Sequence, residues 1–224
     1  MMKVMILAAG FGKRLLPLTE VTPKPLLKIG DKTLIQHNID HLIANGFSEF
    51  VINISHLGHL IEDHINEEFS NLNITFSRED SPLGTGGGIL NALSLLGNEN
   101  FLVINSDIFH KIDIKSLPNR IDAAHLIGVP NPPHNELGDF SINENNIVVK
   151  EELNNLTWSG ISVINPKIFT ETNFDSSCFN IWDTVFPKYL KNGKVSGQKS
   201  NDLWIDVGTH ERLKLANSLY NNQN

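Results

Sequence analysis

The stretch that decides the fold is VMILAAGFGKRLLP, residues 4–17. Its first four residues are uninterrupted and apolar, which is typical of a fully buried strand. The small residues Ala8, Ala9 and Gly10 follow, and free N–H groups in such a turn suit phosphate oxygens. Lys13 and Arg14 add positive charge. The stretch indicates a nucleoside triphosphate site, although a tight strand-to-helix turn with solvated basic residues explains the glycine spacing equally well.

Composition excludes several other classes of protein. The chain has 224 residues and a net charge of −7, which argues against general binding to nucleic-acid backbones. No apolar run approaches the roughly twenty residues that cross a bilayer, so no membrane partner is expected. The single cysteine, Cys178, cannot form an internal disulfide, and this fits a cytoplasmic location.

Apolar runs and amphipathic segments alternate through the first half. Strands are expected over 4–7, 50–54, 74–76 and 101–105, and helices over 32–45, 59–69 and 86–96. This alternation predicts an α/β fold with a Rossmann-like, mixed but mostly parallel sheet flanked by helices. Ligands of such sheets bind beyond the carboxyl ends of the strands, where both the first glycine turn and Asn105-Ser106-Asp107 are expected.

The pattern loosens after Asp107. Strands are expected over 123–129 and 158–164, and helices over 181–191 and 210–220, the last capped by Thr209. Residues 139–142 and 147–149 predict a small antiparallel hairpin, and residues 195–208 predict a second hairpin-like region. The second half should therefore add a small antiparallel subregion to the sheet.

Two carboxylates and a second glycine segment carry further chemistry. Asp107 and Asp206 each end an apolar strand, so together they could hold Mg²⁺ against nucleotide phosphates. Either aspartate could instead cap a neighbouring helix or turn. The glycines of SPLGTGGG, residues 81–88, leave room where something flat or bulky must approach, although a flexible loop would have the same composition.

Five ordered motifs resemble the sugar-1-phosphate nucleotidyltransferases, also called NDP-sugar pyrophosphorylases. The motifs are LAAGFGKRLLPLT (7–19), TPKPLLKIGDKTLIQH (22–37), SPLGTGGGI (81–89), INSD (104–107) and WIDVGTHERL (204–213). Thr33 stands where the family more often has proline. The resemblance covers essentially the whole chain and implies the nucleotide-diphospho-sugar transferase fold. Within the family, segments such as GDFSI and WSGISVINP resemble members that use UTP and N-acetylmuramic acid 1-phosphate in peptidoglycan recycling.

The resemblance also implies roles for particular residues. Arg14 and Lys24 would be catalytic, and Asp107 and Asp206 would hold Mg²⁺. The nucleotide would be bound by Leu7, Ala8, Ala9, Gly10, Phe11, Gly12, Lys13, Glu79, Gly84, Thr85 and Gly86. The sugar phosphate would face Asn105, Gly138, Asp139, Glu152 and Gly160. Glu151 is an alternative to Glu152, and the carboxylate of Glu79 leaves the identity of the base open because relatives often have glutamine there.

The implied organisation is a single domain over residues 1–224. Residues 1–110 would form its nucleotide-binding half and residues 111–224 its sugar-phosphate-binding half, without a carboxyl-terminal β-helix. Other acceptors, namely glucose 1-phosphate, mannose 1-phosphate or phosphocholine, remain open. A non-catalytic sensor or scaffold subunit is a further alternative, but all four expected catalytic and metal-binding residues are present. The protein is expected to be a monomer or a small homo-oligomer.

Overall fold

A computed structural model describes residues 2–172, 174 and 176–222. Its strands are β1 Val4–Leu7, β2 Lys28–Ile29, β3 Lys32–Thr33, β4 Glu49–Ile54, β5 Asn73–Arg78, β6 Phe101–Asn105, β7 Ile108–His110, β8 Ala124–Pro130, β9 Ser141–Ile142, β10 Val148–Val149, β11 Leu156–Ile164, β12 Val195–Lys199 and β13 Trp204–Asp206. Its α-helices are α1 Leu34–Ala44, α2 Gly58–Glu68, α3 Gly84–Leu96, α4 Lys167–Thr170, α5 Ile181–Thr184, α6 Phe186–Lys191 and α7 His210–Asn221. Short 3-10 turns span Lys13–Leu15, Leu18–Glu20 and Lys24–Leu26.

The central sheet has seven strands in the order β12-β8-β11-β6-β1-β4-β5. Strands β6, β1, β4 and β5 run parallel, whereas β11 lies antiparallel to both β6 and β8. Leu7 pairs with Asn53 on one side and with Asn105 on the other. The carboxyl ends of β1, β4 and β6 therefore form one edge, as the sequence predicts, and the mixed, mostly parallel sheet is confirmed.

Alternating side chains of β1 pack into cores on the two faces of the sheet. Ile6 lies in a cluster with residues of α1 and α2, whereas Met5 lies in a cluster with residues of α3. Both side chains are fully buried. The uninterrupted apolar run is therefore explained by helices covering both faces. No helix in the described part of the chain is long and apolar enough to cross a membrane.

Most predicted elements are present, with shifted ends. The first helix begins at Leu34 rather than residue 32, because Thr33 caps it by accepting a hydrogen bond from the Gln36 N–H. The helix predicted over 181–191 is two short helices that meet at Val185. Pro187 explains the interruption, since it lacks an N–H and its ring crowds the preceding turn. The predicted Thr209 cap is present.

The hairpin-like region predicted over 195–208 is wrong. Strand β12 instead joins the edge of the central sheet, parallel to β8. Strand β13 pairs antiparallel with β7, the short strand directly after Asp107. This second pairing brings Asp206 opposite Ile108, so the two strand-end aspartates come to the same place. The smaller predicted hairpin is confirmed by the pairing of β9 with β10.

Candidate active site

A first cleft opens at the carboxyl edge of β1, β4 and β6. It is lined by Leu7, Ala8, Ala9, Gly10, Lys24, Pro25, Asn53, Glu79, Pro82, Gly84, Thr85, Asn105, Ser106 and Asp107. Seven of the residues assigned to the nucleotide from the sequence are in this group: Leu7 to Gly10, Glu79, Gly84 and Thr85. The cleft therefore brings together the first turn, the start of α3 and the end of β6.

A buried hydrogen-bonded chain fixes the wall of this cleft. Asn53 Oδ1 accepts a hydrogen bond from the Ala8 N–H at 2.8 Å, and Asn53 Nδ2 donates to Glu79 Oε1 at 2.6 Å. The other oxygen of Glu79 accepts from the Leu83 N–H at 2.9 Å. Because both carboxylate oxygens bond to the protein, Glu79 holds the first turn and the start of α3 in register.

The second glycine segment packs against the chain's own residues. The N–H groups of Gly86 and Gly87 donate to the Phe179 carbonyl at 3.0 and 3.2 Å. A Cβ on Gly86 would overlap the Phe179 ring, and one on Gly87 would overlap the Ser177 carbonyl. The flat group that the sequence led us to expect is thus Phe179. Gly86 is buried and does not line the cleft, unlike Gly84 and Thr85.

A second cleft adjoins the first and shares Asn105 and Asp107 with it. It is lined by Arg14, Asn105, Asp107, Ile108, His134, Asn135, Asp139, Thr157, Trp158, Ser159, Gly160, Trp204 and Asp206. The two cationic residues expected to be catalytic therefore lie in different clefts. Lys24 faces the first cleft and forms an ion pair with Asp107, and Arg14 faces the second.

Asp206 has several charged or titratable neighbours in the second cleft. Its Oδ1 atom lies 2.9 Å from Arg212 Nη1 and 3.1 Å from His134 Nε2. Burial raises the pKa of the Asp206 carboxyl, Arg212 and His134 oppose that rise, and the charge of Asp107 adds to it. The carboxylates of Asp107 and Asp206 are therefore close enough to interact electrostatically.

Two further predicted residues shape the second cleft. Asp139 accepts hydrogen bonds from Asn135 Nδ2 at 3.1 Å and from the Trp158 N–H at 2.8 Å, which ties the 131–139 loop to β11. Gly160 has a φ of +80°, and a Cβ there would lie 2.7 Å from Asn105 Nδ2. Glycine at position 160 therefore leaves room for the Asn105 side chain.

Other predicted residues lie outside the two clefts. Phe11 is exposed and packs on His56, with Lys13 over its ring. Gly12 has a φ of +64° and packs closely on Thr19. The remaining two were expected to face the sugar phosphate: Gly138 packs on Asn131 and the Asn154 carbonyl, and Glu152 is exposed, as is Glu151.

The donor chemistry of the aspartates fits Mg²⁺. Carboxylate oxygens are the protein ligands that this hard cation uses, and it commonly takes only one or two of them together with substrate phosphates. Asp107 lines both clefts and pairs with Lys24, whereas Asp206 lines the second cleft and pairs with Arg212 and His134. Exchange of the Lys24–Asp107 ion pair for a divalent cation would keep the Asp107 carboxylate electrically compensated.

Sequence reasoning missed several residues at the site. Asn53 ends β4 beside Leu7, so its position at the shared sheet edge could have been inferred from the strand pattern. Arg212 follows Asp206 within the last motif, but nothing in the motif indicates that it pairs with that aspartate. His134 comes from a proline-rich loop whose path the sequence does not specify.

Two clefts that share a carboxylate suit a transferase, because a donor and an acceptor can both reach the same centre. The chain belongs to the nucleotidyl transferase family, whose sequence profile matches residues 3–223. Among its relatives is the N-acetylmuramate alpha-1-phosphate uridylyltransferase of Neisseria meningitidis serogroup B. That protein is 43% identical over 97% of this chain and 98% of its own length.

More distant relatives have the same fold or act on other sugars. The mannose-1-phosphate guanyltransferase of Aspergillus oryzae is 28% identical over 98% of this chain, which spans only 64% of that protein. HddC from Yersinia pseudotuberculosis, solved with GMP-PN, superimposes with a TM-score of 0.81 at 26% identity, over 98% of this chain and all of that one. A Bacillus anthracis structure with bound sucrose gives a TM-score of 0.86 at 25% identity, over 100% of this chain and 97% of that one.

Proposed function

We propose that this protein transfers the uridylyl group of UTP to N-acetylmuramic acid 1-phosphate, giving the UDP-sugar and pyrophosphate in peptidoglycan recycling. The observation that carries the proposal is the meeting of the two clefts at Asn105 and Asp107. A nucleotide in the first cleft and a sugar phosphate in the second would meet there. The choice of base and sugar is supported by the near full-length similarity to the Neisseria uridylyltransferase.

We assign the two substrates to different parts of the chain. We assign nucleotide binding to residues 1–110, because all residues that line the first cleft lie in that range. Residues 111–224 would form the sugar-phosphate-binding half, since most of the second cleft comes from them. Both halves contribute strands to the central sheet, which favours a single domain over residues 1–224. The single cysteine supports the assignment of the reaction to the cytoplasm.

The proposed chemistry is an in-line displacement at the α-phosphorus of UTP. An oxygen of the sugar 1-phosphate forms a bond to that phosphorus, the bond from the α-phosphorus to the bridging oxygen of the β-phosphate breaks, and pyrophosphate leaves. The attacking group is already an anion, so no general base is required. Lys24 and Arg14 would approach from the two clefts and stabilise the charge that develops on the transferred phosphate.

Mg²⁺ is part of the proposal, with Asp107 and Asp206 as its protein ligands. When bound, it would neutralise triphosphate charge and so favour departure of pyrophosphate. The basic side chains near the two aspartates would then have two roles. Arg212 and His134 hold the Asp206 carboxylate in place, and Lys24 becomes available to the phosphates as its ion pair with Asp107 is exchanged.

A matrix of substrates tests the activity. The purified protein is incubated with Mg²⁺, each of five nucleoside triphosphates and each of several phosphorylated acceptors, and pyrophosphate release is measured with product mass. We expect the highest kcat/KM with UTP and N-acetylmuramic acid 1-phosphate. Turnover of another pair alone would refute the assigned substrates, and nucleotide binding without pyrophosphate release would favour a sensor or scaffold subunit.

A further inference from the structure

A further cavity lies between the loop at residues 132–134 and helix α7. It is continuous with the second cleft, because Arg14, His134, Trp204 and Asp206 line both. A molecule bound in the second cleft could therefore extend a substituent into this cavity.

The walls of the cavity combine apolar and basic groups. Pro132, Pro133, Trp204 and Leu215 supply apolar surface, and the basic groups are Arg14, His134 and Arg212. Of the described residues that line the cavity, only Asp206 is acidic. Such a lining favours a small group that has both an apolar branch and a negative charge.

One hydrogen-bond donor at the wall of this cavity has no partner in the described part of the chain. Arg212 is 13% exposed and uses Nη1 to bind Asp206, yet its buried Nε has no hydrogen-bond partner among the described residues. His134 Nε2 lies 3.1 Å from the same oxygen of Asp206, and the His134 side chain is 40% exposed. A guanidinium carries five N–H donors, so an additional carboxylate would satisfy groups that Asp206 leaves unpaired.

We propose that this cavity binds the carboxylate-bearing substituent of the acceptor sugar, with His134 and Arg212 as its polar partners. The assignment rests on the proposed function, since N-acetylmuramic acid differs from N-acetylglucosamine by a lactyl ether with one methyl group and one carboxylate. The methyl group packs against Pro133 and Trp204, and the carboxylate accepts hydrogen bonds from the basic side. A neutral sugar gives no partner to the Arg212 donors that Asp206 does not bind, and an unpaired buried donor is an effective source of discrimination.

Two sugar phosphates that differ only in this substituent test the proposal. Dissociation constants of N-acetylmuramic acid 1-phosphate and N-acetylglucosamine 1-phosphate are measured by calorimetry with saturating Mg²⁺ and α,β-imido-UTP. The wild-type protein should bind the acidic sugar at least tenfold more tightly. His134→Gln should reduce this ratio about tenfold or more, and Leu215→Glu should do the same by placing a like charge at the cavity.

Ile43→Glu is the matched control. Ile43 is a partly exposed apolar residue of a helix, as Leu215 is, but it lies outside both clefts and this cavity. The assignment would be overturned if the ratio of the two dissociation constants stays at the wild-type value in His134→Gln and Leu215→Glu, even if both sugars bind more weakly. A preserved preference for the acidic sugar without any UDP-sugar formation would instead refute the proposed function and support the cavity assignment.

Discussion

Lys24→Ala separates a catalytic role from a structural one. The Lys24 side chain is 11% exposed at the floor of the first cleft, and its partner Asp107 is 32% exposed. Removing the ammonium leaves a carboxylate that water can reach, so the free energy of unfolding should fall by no more than about 1 kcal/mol. Loss of the positive charge beside the transferred phosphate should cost far more in the transition state.

The size of that loss follows from comparable sites. Removing one preorganised donor to a developing anion typically costs about 10²–10³ in kcat, or about 2.7–4 kcal/mol. We expect Lys24→Ala to lower kcat by that factor in the pyrophosphate-release assay, while urea denaturation shows a small change. The two measurements together distinguish a chemical defect from partial unfolding.

Lys32→Ala is the control for this experiment. Lys32 also forms an ion pair, with Asp40 at 2.6 Å, but both side chains are exposed and outside the clefts. The control loses the same side chain and should keep full activity. If Lys24→Ala retains kcat within tenfold of the wild type, a loss below about 1.4 kcal/mol, the role assigned to Lys24 is wrong.

Three other substitutions test the scaffold. Gly160→Ala should displace the Asn105 side chain and strain a left-handed backbone, costing about 1–3 kcal/mol of stability in urea titrations; unchanged stability and activity would refute the close contact. Asn53→Leu removes the hydrogen-bond partner of the Ala8 N–H and of Glu79 Oε1. It should lower the free energy of unfolding by about 1–3 kcal/mol. Burial lowers the pKa of His110 to about 3, so between about pH 3 and pH 6.5 the folded protein binds fewer protons than the unfolded chain. The free energy of unfolding should therefore decrease as the pH is lowered through that window, by up to about 1.4 kcal/mol per pH unit. The substitution His110→Asn, but not the exposed His59→Asn, should flatten this dependence.

The local sequence pattern predicted the part of the fold that forms the first cleft. Strands β1, β4 and β6 are apolar runs that end at polar or small residues, and parallel pairing places those ends together. The positions of Asp107 and Gly10 at one sheet edge follow from this rule alone. The first cleft was accessible from sequence because each of its parts lies at the end of a strand or the start of a helix.

The fold around the second cleft depends on pairing between segments that are distant in the sequence. Residues 195–199 and 204–206 both have strand-like composition, and nearness in sequence favoured pairing them as a hairpin. Each strand instead pairs with a strand from much earlier in the chain. The three-residue β7, which receives the second of them, is too short to give a periodic signal, and the approach of His134 to Asp206 likewise depends on tertiary contacts.

The contact of the second glycine segment with Phe179 has an evolutionary consequence. Gly86 has no space for a methyl group because the aromatic ring of Phe179 occupies it. A larger side chain at position 86 would require a smaller one at position 179. Residue volumes at these two positions should therefore covary inversely among homologues, although 93 positions separate them in the chain.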